Sequence, residues 1–406
     1  MIQASTERQP STTNDEGLTR TGSPRVGTID ALRGLVLVLM VLDHVRDFFH
    51  RGALIADPLA LDSGDPLLFM TRWVTHLCAP TFVFLSGVSI WLQHANGKSV
   101  AELRRFLLAR GIWLILLELT IVGVGFNFGW WIFLQVIWAI GAGMIALAGL
   151  LWLPRMLILL LGIGILVLHP LMGAIPAEAF GDWSIAWRAF AVFGPVATPA
   201  GFALVAYPAI PWIGIMLFGY GLGPLFNKPA GRRNRDVLAI ACVLLAGFFL
   251  LRWFNVPGLD PRAWSRQPEA LWTVLSFLNV SKYPPSPAYV ALMLGLSLLV
   301  FRGLEGRSGA VVGVLRTFGR TPLFTYLLHI WLAHGLAVLA GATMGVPVAA
   351  FANWIVDPSR LIEAGWGLSL AGAYLFWAIT LALLYPLSRW FDHVKRTRRD
   401  RWLGYL

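Results

Sequence analysis

From residue 28 to residue 388 the chain is a succession of apolar runs separated by short stretches that hold Arg, Pro and Gly. A helix needs about 20 apolar residues to cross the ~30 Å hydrocarbon core of a bilayer. Ten-residue segments alternating apolar with polar, the signature of a membrane barrel, do not occur, and lipid admits only helices or closed barrels because backbone groups there have no water to bond. The pattern predicts an all-α, polytopic transmembrane bundle of about ten helices. Their spans are 28–49, 68–94, 106–126, 129–152, 154–174, 200–226, 236–255, 285–303, 318–342 and 364–388. Only the turn Leu153-Pro154-Arg155 divides the fourth from the fifth, and Pro208 and Pro211 are expected to break the sixth beside a cavity.

Charge gives these spans a direction. Hydrophobic residues make up 57% of the 406 and charged ones 13%, with a net charge of +11. With an even span count, the N-terminal tail, the even-numbered loops with the span ends that adjoin them, and the C-terminus share one side and carry 22 of the 32 Lys and Arg. The other side carries six, and Arg33, Arg46, Arg72 and Arg252 fall within spans. The positive-inside rule then places both termini in the cytoplasm. It also accounts for the basic balance as an orientation signal and a contact for anionic lipid, so membrane lipids are expected partners and nucleic acid is not. Residues 1–25 are polar, rich in Ser, Thr and Pro, and lack an apolar h-region; they predict a disordered cytoplasmic tail and no cleavable signal peptide. Residues 26–390 read as one membrane domain with longer external segments at 175–199 and 256–284, and 391–406 as a basic cytoplasmic tail. Cys78 and Cys242 have neither a CxxC partner nor metal-ligand spacing, which predicts no disulfide framework and no metal site.

The first span departs from the apolar rule. On a helix Arg33 and His44 stand roughly 20° apart in azimuth and about 16 Å apart along the axis, with Asp30 and Asp47 within about 60° of the same stripe. Each charge at the bilayer centre costs at least a few kcal/mol, so the stripe must line a polar cavity or pair with other helices. His44 beside Asp47 is the usual arrangement of a general base; the structural alternative is an ion pair at each end of the helix, Asp30 with Arg33 and His44 with Asp47. In the second span Arg72 and His76 lie at i,i+4 and comparable depth, so that His44, His76, Arg72, Asp43 and Asp47 can converge. The structural reading of His76 is a helix-to-helix hydrogen bond. His50, at the mouth of the following loop, is a further candidate base, while Asp57, Asp62 and Asp65 read as solvated loop residues, with contact to a hydroxylated or amino substrate as the alternative. Arg320 stands at the cytoplasmic edge of the ninth span with Tyr326 and His329 at i,i+3 inside it, and Gln135 lies within the fourth.

Four segments carry a family resemblance: IDALRG followed by DHVRDFF within 29–49, APTFVFLSG at 79–87, SKYPPSP at 281–287 and FGRTPLFTYLLH at 318–329. The spacing of Arg33 and His44 resembles the motif of the bacterial membrane acyltransferase superfamily that O-acylates envelope sugars. The four together look like the bacterial branch of the heparan-alpha-glucosaminide N-acetyltransferase catalytic-domain family, over about residues 24–388. The resemblance implies a multi-pass protein of the inner (plasma) membrane. It would take an acyl group, expected to be acetyl, from cytoplasmic acetyl-CoA or another acyl-CoA as co-substrate, with no permanently bound cofactor. The acceptor would be a sugar hydroxyl or amine of an envelope glycan or a related small molecule, and the assembly leaves room for a homodimer. Carried onto this chain, His44 matches the superfamily's proposed catalytic histidine; the lysosomal enzyme's active histidine belongs to its first lumenal loop, which makes His50 the alternative. Asp47 is expected to orient His44, Arg72, His76 or Tyr326 to donate to a developing oxyanion, and Arg33, Arg316 and Arg320, with Arg104, Arg105 and Arg110, to hold CoA phosphates. Two other classes compete: a proton-coupled transporter or flippase using the same stripe, and an inert scaffold, which would need no such stripe.

Overall fold

The computed structural model describes residues 27–62, 64–198, 201–398 and 400–405; the tail expected over 1–25 lies outside them. The main helices are α1 (Gly27–Phe49), α2 (Pro66–Ala95), α3 (Val100–Asn127), α4 (Val136–Leu150), α5 (Arg155–Ala174), α6 (Ala209–Phe226), α7 (Ala230–Phe254), α8 (Pro287–Leu304), α9 (Ala310–Arg320), α10 (Pro322–Thr343) and α11 (Leu370–Thr397). Among the described residues eight of these, all but α1, α4 and α9, are long and apolar enough to cross a membrane. The chain is an all-α, polytopic bundle with helix at each of the ten expected positions. α1 has the length but carries Asp30, Arg33, Asp43, Arg46 and Asp47, and α4 is a shorter apolar helix of 15 residues.

Close approach of backbones fixes the helices that matter for the site. α9 lies against α1, and a Cβ on Gly34 would land on the Leu315 carbonyl oxygen, one on Gly319 on the Asp30 carbonyl oxygen. In the same way Gly87 of α2 and Gly219 of α6 press on the backbone of the opposite helix. Small residues at helix crossings are how membrane helices gain packing contact without a hydrophobic driving force. Two of the strings that carry the family resemblance, LRG and FGR, are therefore the two halves of one α1–α9 contact.

α2 is not continuous. Its helix stops at Thr75 and restarts at Cys78, because Pro80 has no N–H to give the His76 carbonyl four residues back. The Tyr289 hydroxyl donates to that carbonyl instead, at 2.9 Å. Similarly Thr321, which precedes Pro322, leaves helical geometry with φ −120° and ψ 41°. The expected ninth span is thus divided into the end of α9 and the start of α10.

Three further expectations change. Residues expected to begin the fourth and sixth spans form a small sheet instead, with β1 (Ile132–Leu134), β2 (Gly194–Thr198) and β3 (Gly201–Val205) in the order β1-β3-β2, β1 parallel and β2 antiparallel to β3. Gln135 is therefore the N-cap of α4, not a mid-helix residue. Pro208 caps α6 and Pro211 sits in its first turn, where the missing N–H has no intrahelical partner to lose, so the pair starts the helix and does not break it. Finally, α11 runs past residue 388, the expected end of the tenth span, to Thr397, and its last turns are tied down where Asp392 pairs with both Arg320 and Arg396. The turn Arg401–Tyr405 then folds back, the Gly404 carbonyl accepting from Arg110 at 2.6 Å.

Candidate functional site

Two cavities enter the bundle from opposite ends. The inner one, about 600 Å³, opens where α1, α3 and α10 begin and α2, α6 and α11 finish, the end that charge assigns to the cytoplasm; Arg33, Arg110, Arg320 and Lys395 line it with Asp30, Ser86, Ser89 and Gln93, and Met40 and Tyr326 lie deeper. The outer one, about 290 Å³, is lined by Asp43, His44, Asp47, Arg72, Gln135, Tyr207 and Tyr283 with an apolar wall that includes Phe126, Phe133 and Trp354. Met40 precedes His44 by one turn of α1, and Tyr326 precedes His329 by one turn of α10. Between the two cavities, His44 Nδ1 and His329 Nε2 share a hydrogen bond of 2.6 Å, with the rings stacked at a centroid distance of 4.9 Å.

The hydrogen-bond order fixes which nitrogen of His44 is available. His329 is fully buried, and its Nδ1 faces the Thr325 carbonyl at 3.3 Å. A carbonyl can only accept, so in the neutral pair Nδ1 of His329 carries the proton, its Nε2 is the acceptor and His44 Nδ1 is the donor. That leaves the lone pair of His44 on Nε2. His44 is the partly exposed member of the pair and lines the outer cavity.

The carboxylates of the α1 stripe are committed elsewhere. Asp43 accepts from Arg46 at 2.8 Å, from Arg72 at 2.6 Å and from Thr75 Oγ1 at 2.6 Å, tying α1 to α2. Asp47 accepts from Arg46. The expected Asp47–His44 support is therefore not formed: the guanidinium one residue away takes Asp47, and the partner of His44 is His329. Asp30 and Arg33 do pair, at 3.3 Å, and Arg33 also donates to Ser89 Oγ at 2.9 Å across to α2.

Other predicted residues separate into those that reach a cavity and those that do not. Arg33 and Arg320 line the inner cavity, joined by Tyr326; Arg72 and Gln135 line the outer one. Arg316 does not, because one turn back along α9 it lies beside Gly27 and donates to the Arg307 carbonyl; of its companions only Arg110 lines the cavity. His76, at the break in α2, is turned away from both cavities and set edge-on to Tyr289 at 5.5 Å. His50 caps the short helix Arg51–Ile55 by accepting from the Ala53 amide at 3.1 Å. Burial holds its imidazole below the usual histidine value, as neighbouring Arg46 also does against the pull of Asp65.

Two groups escape the motif reading. Lys282 of the SKYPP turn is buried and lies 5.0 Å and 5.8 Å from the ring centres of Tyr283 and Tyr207, both in the wall of the outer cavity. Glu118 opens the π-helical turn Glu118–Val122 of α3 and is fully buried; it accepts from the Trp138 amide at 2.9 Å, capping α4 where Gln135 makes no side-chain cap. The only hint of Glu118 is one acidic residue in the run LILLELTIV, a charge that a span must justify.

Comparison with known families adds one match. The family model described as heparan-alpha-glucosaminide N-acetyltransferase, catalytic, covers residues 25–254, more than half of the 406-residue chain. It spans both Arg33 and His44 and stops short of His329 and Arg320. No curated protein matches the chain.

Proposed function

The chain belongs to the heparan-alpha-glucosaminide N-acetyltransferase catalytic family, a family of membrane acetyltransferases, and from that premise we propose that it carries an acetyl group from cytoplasmic acetyl-CoA to a sugar hydroxyl or amine on the far side of a bacterial inner membrane. The observation that carries this reading is the position of the His44–His329 pair. It stands between a cavity with a cationic mouth and a cavity lined by tyrosines and a free imidazole nitrogen.

In this reading Arg33, Arg110, Arg320 and Lys395 receive the phosphates of the donor, since cationic side chains give short, charge-assisted hydrogen bonds to phosphate oxygens. The thioester reaches past Met40 and Tyr326. An acceptor hydroxyl or amine in the outer cavity gives its proton to His44 Nε2, its oxygen or nitrogen bonds to the thioester carbonyl carbon, and the C–S bond breaks as the thiolate leaves and takes up a proton. His329 accepts from His44 Nδ1 and holds the ring in the tautomer whose base faces the acceptor. Arg72, tied to Asp43, is placed to donate to the carbonyl oxygen as charge develops there.

The test uses purified full-length protein with acetyl-CoA labelled in the acetyl group and a panel of envelope sugars. The wild type transfers or hydrolyses the label, and His44→Ala loses at least about a hundredfold of that rate, the low end of what a general base contributes, while expression and monodispersity are kept. Wild-type protein that neither binds acetyl-CoA nor turns it over would overturn the reading.

A further inference from the structure

A third recess opens beside the outer cavity and shares its wall. It measures about 360 Å³ and is lined by Trp130, Trp131, Ile132, Phe202, Asn353, Asp357 and Arg360 among others. Successive residues of two segments divide between the spaces: Trp130, Trp131 and Ile132 face the recess while Phe133 faces the cavity, and Asn353, Val356 and Asp357 face the recess while Trp354, Ile355 and Pro358 face the cavity. Trp131 and Phe133 are stacked at 5.2 Å and 17°, so one aromatic pair spans the wall.

We propose that this recess is a second saccharide subsite, which holds the pyranose ring next to the one acetylated; it rests on the reading of the acceptor as a glycan. A pyranose presents a face of C–H groups and a rim of hydroxyls, and the recess offers the complement of both. Trp130 is 71% exposed and Phe202 43%, a large amount of aromatic surface left to water. Trp131 Nε1 is buried and has no hydrogen-bond partner, which leaves a donor for a ligand oxygen. Asp357 and Arg360, 3.5 Å apart, and the amide of Asn353 supply acceptors and donors at the rim. Exposed tryptophan also anchors proteins at the bilayer surface, but acyl chains have no use for a carboxylate, a guanidinium and an amide converging on one concave site.

The experiment measures, by calorimetry on full-length protein in nanodiscs, binding of β-1,4-linked tetrasaccharides of glucose, N-acetylglucosamine and galactose against the matching monosaccharides. At least one tetrasaccharide binds the wild type more tightly than its monosaccharide. Trp130→Ala weakens that tetrasaccharide about tenfold, as loss of one aromatic stack does, Trp131→Phe and Asp357→Asn weaken it less, and monosaccharide binding and acetyl-CoA turnover keep their wild-type values in Trp130→Ala. The proposal is overturned if every tetrasaccharide binds like its monosaccharide, or if Trp130→Ala leaves tetrasaccharide binding intact and changes only tryptophan quenching by brominated lipid. Failure of the acetyltransferase reading would show itself separately, as absent turnover of acetyl-CoA by the wild type with saccharide binding unaffected.

Discussion

Replacing His329 with Leu tests the histidine pair directly. The substitution removes the acceptor of the 2.6 Å bond from His44 Nδ1 and puts a side chain without polar atoms into a position that is fully buried. A neutral hydrogen bond contributes about 0.5–1.5 kcal/mol net, and leaving its buried partner unsatisfied costs about 1–3 kcal/mol. A loss of about 2 kcal/mol, the middle of the second range, lowers the rate roughly 30-fold. The assay is steady-state acetyl transfer with separate kcat and KM for acetyl-CoA. His329 lines neither cavity, so the loss falls on kcat and leaves KM unchanged. His329→Gln, whose carbonyl can accept from His44 Nδ1, recovers part of the rate, which a purely structural role for His329 would not predict. In the His44→Ala background the Leu substitution costs nothing more, since the two side chains act as one unit. A well-folded His329→Leu protein with wild-type kcat, or equal and additive losses for Leu and Gln, would refute the tautomer argument.

Gly319→Ala pushes a methyl group onto the Asp30 carbonyl; overpacking of this kind costs about 1–3 kcal/mol, read as a lower melting temperature in detergent, together with weaker acetyl-CoA binding because Arg33 and Arg320 flank the contact. Arg110→Ala raises KM for acetyl-CoA about tenfold with kcat preserved, checked by the same kinetics, if its guanidinium meets a phosphate as a charge-assisted donor worth about 1.5–3 kcal/mol. His50 caps Arg51–Ile55 in its neutral form and burial holds its value low, so stability of this turn is present above the ordinary histidine range and is lost as pH falls through it. Exchange at the Ala53 amide, corrected for intrinsic rate, is therefore faster at pH 5 than at pH 7.5. His50→Asn, which can still accept, removes that dependence and retains transferase activity.

The spans were legible because each is written as an uninterrupted apolar run, and Arg33 and His44 because they interrupt one. What the run cannot encode is the partner. Helical spacing puts Asp47 beside His44, but Arg46 is its immediate neighbour in sequence and claims it; the partner, His329, is 285 residues away, and its spacing points only to Tyr326. His76 departs from the i,i+4 face for a local reason with a visible cause, Pro80, whose missing N–H unwinds α2 at that histidine. Gln135 and the prolines near 208 resemble helix interior in the sequence because β1 and β3 are as apolar as the spans they precede. Lys282 lies inside SKYPPSP, where the prolines draw attention to a turn and not to the lysine, and Glu118 lies in no motif; each is a lone charge whose burial depends on tertiary neighbours.

The state of these charges bears on whether the stripe in α1 is a proton path. A relay through a membrane needs carboxylates or imidazoles that can exchange protons with the next member of the chain. Asp43 is instead clamped between two arginines and a threonine, and Asp47 is held by Arg46, so both carboxylates already have partners and neither reaches the next member of a chain. On the inner side Asp30 accepts from Arg33. Between Asp30 and Asp43 the helix carries Arg33 and otherwise no ionisable side chain, a gap of about 20 Å at 1.5 Å per residue. Along α1, then, His44 is the one titratable group that lines a cavity without an ion-pair partner, and its single hydrogen bond leads to another imidazole. A helix built for conduction would spread such groups along its length; this one places a single imidazole pair between two chambers, the arrangement that the proposed transfer between a donor and an acceptor requires.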